Sequence, residues 1–125
     1  MIVDLEVRIQ SEEGQFGSLD NKFPLKNVTR IGQIAQSGRY KGKPLPYASL
    51  TLSFIDSGVS SEIDFLTGVK KELKKLDFAY TVDINLILLE VDVDQANLFL
   101  DTQLLKIITG MGDGLSISCY TKFED

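Results

Sequence analysis

Read at period two, the segment Thr81–Val91 is apolar on both sides: Val82, Ile84, Leu86 and Leu88 share one face, and Ile87, Leu89 and Val91 share the other. Neither side of such a strand can be left in water, so it must be covered on both faces, at least over its C-terminal half. The segment therefore predicts a central strand, and it obliges the rest of the chain to supply neighbours and cover.

Suitable neighbours are present. Along Met1–Gln10, Val3, Leu5, Val7 and Ile9 alternate with Asp4, Glu6, Arg8 and Gln10, which predicts a strand with one wet face. Ser11–Gly17 is a polar loop, and Ser18–Lys26 has room for a short helical turn. Val28–Ala35 predicts a second strand weakened by Gly32; Gln36–Pro46, with two glycines and two prolines, predicts a stiffened loop. In Tyr47–Ile55, Ala48, Leu50, Leu52 and Phe54 alternate with Ser49, Thr51 and Ser53, and the turn Asp56-Ser57-Gly58 follows.

Two helices are expected. Ser61 with Asp64 forms an N-cap pattern, and the helix it opens runs to about Ala79. Phe65, Leu66, Val69, Leu73 and Leu76 fall in one stripe, with Lys70, Lys71, Lys74 and Lys75 on the solvated side. A last helix spans roughly Asp94–Thr109, with Ala96, Leu100, Leu104 and Ile107 toward the core, and ends where Gly110, Gly112 and Gly114 offer a left-handed cap. Leu115–Phe123 closes the chain as a strand. The order β, β, β, α, β, α, β predicts a single α+β domain over residues 1–125. Its expected form is two-layer: a mainly antiparallel five-stranded sheet with two main helices packed on one face.

A chain of 125 residues with 43% hydrophobic and 25% charged residues has ordinary globular composition. Its longest purely apolar run, Leu86–Leu89, is far too short for a bilayer, and the N-terminus has no signal-like pattern, so a cytoplasmic location is expected. Cys119 stands alone, which excludes an internal disulfide, and it is expected to act as a small apolar residue on the final strand. Histidine is absent. Ser–His and Cys–His catalysis and imidazole metal sites go with it, and neither an enzymatic role, a cofactor nor a metal is expected.

Charge is segregated. From Asn21 to Ile55 there are six basic residues (Lys22, Lys26, Arg30, Arg39, Lys41, Lys43) and no acid, inside a chain of net charge −5. Such a dipole speaks to partners, not to fold. The loop Gly38-Arg39-Tyr40-Lys41-Gly42-Lys43 lacks P-loop spacing and lies between two predicted strands, which disfavours a phosphate cradle. As a protein-contact loop it offers Arg39, Tyr40, Lys41 and Lys43, the first two being residue types that dominate interface energetics. The complementary acidic candidates are Asp92, Asp94 and Asp101, joined by Glu12, Glu13 and Glu124. Capping explains Asp92 and Asp94 at a strand–helix junction at least as well. Leu98 and Leu105, opposite the core stripe of the last helix, offer a contact for a second copy of the chain. Two alternatives use other features: nucleic-acid or nucleotide binding through Lys22–Lys43, opposed by a pI near 4.7, and a small-ligand site around Glu90, Asp92 and Asp94.

The opening Val3-Asp4-Leu5-Glu6-Val7-Arg8-Ile9, the Thr29-Arg30 step before a basic glycine-containing loop, and the alternating strand after it form a recognisable series. With the closing Gly114-Leu115-Ser116-Ile117-Ser118-Cys119-Tyr120, the chain resembles an α+β family of immunity proteins from bacterial polymorphic-toxin and contact-dependent growth-inhibition systems. It departs from that family in having no tryptophan on the strand after the loop. The resemblance implies a small cytosolic protein that binds a cognate toxin, often a nuclease, and inhibits it stoichiometrically.

Overall fold

The computed structural model describes residues 4–14, 16, 19, 22–91 and 102–121, and in it the opening alternation becomes the middle strand of a five-stranded sheet. β1 (Asp4–Ser11) lies between β3 (Ala48–Ser53) and β4 (Thr81–Val91), antiparallel to both. β2 (Leu25–Thr29) and β5 (Gly114–Thr121) form the edges, in the order β2-β3-β1-β4-β5. The β2–β3 pairing is antiparallel, but β4 and β5 run parallel, so the α+β sheet is mixed. The physical reason is the connection: α3 (Thr102–Met111) lies between β4 and β5 in sequence, and a helical crossover returns the chain in its original direction.

The apolar halves of the alternating patterns meet. Leu5, Val7 and Ile9 of β1 share one cluster with Leu50 and Leu52 of β3 and with Val82, Ile84 and Leu86 of β4. Phe65, Leu66, Val69 and Leu73 of α2 (Glu62–Leu73) and Leu104 and Ile108 of α3 belong to the same cluster. Leu105, expected on the far side of its helix, is half-buried. On β4 the two-faced pattern gives buried Val82, Ile84, Leu86 and Leu88 on one side and a half-buried Ile87 on the other.

Several boundaries differ from the sequence-based expectation. The second strand is Leu25–Thr29, not Val28–Ala35. Lys26 faces Thr51 and Thr29 faces Ser49, so β2 spends three steps against two on β3. That extra residue is a bulge at Asn27, whose φ of 52° is one that asparagine tolerates better than most side chains. The third strand stops at Ser53, and Phe54–Ser57 forms a one-turn helix, α1, closed by Gly58 at φ 72°. None of Gly110, Gly112 and Gly114 takes the left-handed conformation expected of them; the Gly112 amide instead donates to the Ile108 carbonyl at 2.8 Å.

The N-cap of α2 forms as expected: Ser61 Oγ accepts from the Asp64 amide at 3.1 Å. Ser61→Ala should lower unfolding free energy by about 1 kcal/mol in urea titrations, and Ser61→Asp should retain most of it. The helix ends at Leu73, with Lys74 as its C-cap, short of Ala79. Its hydrogen bonds tighten there to i→i−3, from the Lys75 amide to the Glu72 carbonyl and from the Leu76 amide to the Leu73 carbonyl, and Ala79 is tied to the end of β1 and the loop after it. Ser11 Oγ donates to the Ala79 carbonyl (2.6 Å), and the Ala79 amide donates to Glu13 Oε2 (3.1 Å).

Candidate functional site

The basic loop is a folded unit. Its two limbs are joined by backbone bonds from Gly32 N to Leu45 O (2.8 Å), Leu45 N to Gln33 O (2.7 Å) and Ala35 N to Lys43 O (3.0 Å). Ala35 and Leu45 are buried beneath it. At its tip, Gly38 (φ 79°) and Gly42 (φ 78°) flank Arg39, Tyr40 and Lys41. The Arg39 guanidinium stands over the Tyr40 ring, 5.6 Å from its centroid. Tyr40 in turn meets Tyr47 edge-on at 6.2 Å. Of the four loop residues expected to contact a partner, the fold therefore organises Arg39 and Tyr40 into one stack, while Lys41 and Lys43 are solvated. Another cation of the basic segment, Lys26, is paired with Asp56 at 2.8 Å; that hydrogen bond, with the nearby acids, raises its ammonium above the ordinary lysine value.

Tyr47 also lines a concave groove of about 690 Å³ on the polar face of the sheet. Alternation builds this groove. Glu6 and Arg8 point from β1, Asp83 and Asn85 from β4, and Ser49 and Thr51 from β3, all opposite the core-facing residues of the same strands. The β2 bulge brings Asn27 and Thr29 into the same lining. At the β3 side the polar face is closed rather than wet: Ser49, Thr51 and Ser53 are all buried, against the simple expectation from their alternation. Thr29 Oγ1 and Ser49 Oγ share a 2.7 Å hydrogen bond, and Ser53 donates to Asp4 at 2.7 Å, so the hydroxyls of Ser49 and Ser53 are satisfied without water.

The middle of the groove is different. In register, Arg8 faces Asp83 and Glu6 faces Asn85, yet neither acid forms an ion pair among the described residues. Asn85 is fixed on the other side, its Oδ1 accepting from Ser116 (3.0 Å) and Ser118 (3.1 Å). Polar groups are thus oriented, and charged ones left without an ion pair among the described residues, in an open concave surface.

Sequence reasoning does not single out Glu6, Arg8 or Asn85 as a site, and it offers Asp83 only as a carboxylate close in sequence to Glu90, Asp92 and Asp94. The available signal was the parity of three strands, β1, β3 and β4, each placing its polar residues on one face. Asp92, Asp94, Asp101 and Leu98 lie outside the described residues. Among the described residues, no group of three or more His, Cys, Asp or Glu side chains is placed to hold a metal ion, and no helix is long and apolar enough to cross a membrane. No protein-family model, no curated protein and no solved structure matches the chain.

Proposed function

We propose that this chain is a non-catalytic protein-binding module of the bacterial cytosol, an immunity protein that binds and neutralises a nuclease toxin. The observation that carries this is the groove. It is open and polar, with charges in its middle that form no ion pair among the described residues and a folded Arg39–Tyr40–Tyr47 stack at its margin. Small-molecule sites are mostly apolar and enclosed, whereas a shallow polar surface beside an Arg–Tyr anchor suits a protein. The net charge of −5 favours encounter with a basic partner, such as a nuclease cleft. We further infer a two-layer arrangement, α2 and α3 covering the face that carries Leu5, Val7 and Ile9, which leaves the Glu6–Arg8 face for the partner.

Co-expression tests the proposal. The toxic C-terminal domain of a large secreted protein encoded beside this chain should kill cells alone and be tolerated when the chain is present; equal killing in both cases defeats it. Within such a pair, Arg39→Ala with Tyr40→Ala should weaken binding by about 2 kcal/mol, roughly thirtyfold, in calorimetric titrations. The variant should fold, because neither side chain belongs to the buried cluster.

A further inference from the structure

We propose that the space between Arg8 and Asp83 is a receptor for a basic side chain, arginine above all, presented by an extended segment of the protein partner. This rests on the protein-binding function proposed above and specifies its chemistry. Opposite charges directly across an antiparallel pair normally attract and contribute to the ladder. Arg8 and Asp83 are so placed, but they form no ion pair. The cause lies on β5. Asp83 faces Gly114, and its Oδ1 stands 2.7 Å from the point where a Cβ on Gly114 would be. The carboxylate thus leans over the bare glycine and away from Arg8, into space that any other residue would fill.

Glu6, two residues before Arg8 on the same face, provides a second carboxylate with no ion pair among the described residues. Lys26 lies near enough for Glu6 to help raise its ammonium, but it is bound by Asp56, so two carboxylates against the one guanidinium of Arg8 leave the middle of the groove negative and the complementary ligand is a cation. A planar guanidinium with donors on several edges can bond both Glu6 and Asp83, which a point-charge ammonium does less well. Arg8 and the amide nitrogen of Asn85, whose Oδ1 is the atom held by Ser116 and Ser118, serve as donors for backbone carbonyls of the same segment.

The test uses the full chain, isotope-labelled for amide NMR, titrated with the peptide Ac-Gly-Arg-Gly-Arg-Gly-NH2 and with its glutamate counterpart. The arginine peptide should shift the amides of Glu6, Arg8, Asp83, Asn85 and Gly114, and the glutamate peptide should not. Gly114→Ala should push Asp83 back toward Arg8 and weaken the arginine peptide by about fivefold or more, with the melting temperature little changed because only a side-chain end must move. Glu6→Gln with Asp83→Asn should act the same way. Preference for the glutamate peptide, no shift in the groove, or undiminished binding by Gly114→Ala overturns the assignment. If the wild-type chain still neutralises its toxin in co-expression, only this assignment falls. If arginine binds in the groove but co-expression gives no protection, it is the immunity function that falls.

Discussion

Phe65→Ala should lower the unfolding free energy by about 4 kcal/mol, within the usual range for removing a large buried ring. Phe65 is fully buried and is the largest of the completely enclosed side chains. It lies edge-on to Phe23 at 6.0 Å and tilted against Phe54 at 5.8 Å, so one ring from α2 joins the segment before β2 to the start of α1. Removing it forfeits apolar burial, leaves a cavity and breaks both aromatic contacts. Against a typical domain stability of about 5–15 kcal/mol, that loss is a large share. Urea denaturation checks it, with Phe65→Leu as the reference: leucine refills most of the volume and should cost about 1.5 kcal/mol. Equal losses for the two variants would mean that the surroundings collapse onto the site and that the ring does not hold the two segments together.

What could be read before folding, and what could not, divides along the range of the interactions. β4 was legible because its alternation is strictly local, and the Ser61 cap because side chain and amide are three residues apart. β2 was misplaced by a bulge: the left-handed Asn27 lets Lys26 and Thr29 reach one face although they are three residues apart, which defeats a period-two count. The end of α2 was misplaced: the helix closes at Leu73 in i→i−3 turns, and the segment beyond it is bound at Ala79 by Ser11 and Glu13, 68 and 66 residues away, contacts that no local pattern reveals. The loop's Arg39 and Tyr40 were visible as residue types, but Tyr47, the ring that seats Tyr40, read only as the start of a strand. The groove was the least legible feature. Its central geometry depends on Asp83 meeting Gly114, and that follows only from knowing that β5 runs parallel beside β4.

Asp4→Ala should lower stability by about 3 kcal/mol, whereas Asp4→Asn should cost only about 1 kcal/mol. Asp4 is the first residue of β1 and, by alternation, lies on the groove face with Glu6 and Arg8, but it is only 7% exposed. Its Oδ2 accepts from the Ser53 hydroxyl at 2.7 Å, and its Oδ1 accepts from the amides of Ile55 (3.1 Å) and Leu5 (2.8 Å). The Ile55 bond matters most for the chain path. Ser53, the N-cap residue of α1, makes no side-chain capping bond of its own, so Asp4 caps that one-turn helix from the neighbouring strand. Alanine would strand a buried hydroxyl and a helix-terminal amide together, each worth about 1–3 kcal/mol when left unsatisfied. Asparagine keeps a carbonyl oxygen for the two amides, and its NH2 can donate to Ser53, whose hydroxyl accepts as readily as it donates. What Asparagine loses is only the charge assistance. Thermal melts of both variants, with Ser53→Ala as a third, separate the contributions: Ser53→Ala combined with Asp4→Ala should be less than additive, because the two side chains share one bond. Full additivity would show that the Asp4–Ser53 bond contributes nothing, and that the corner between β3 and α1 is held by the Asp4–Ile55 capping bond and the packing of Phe54.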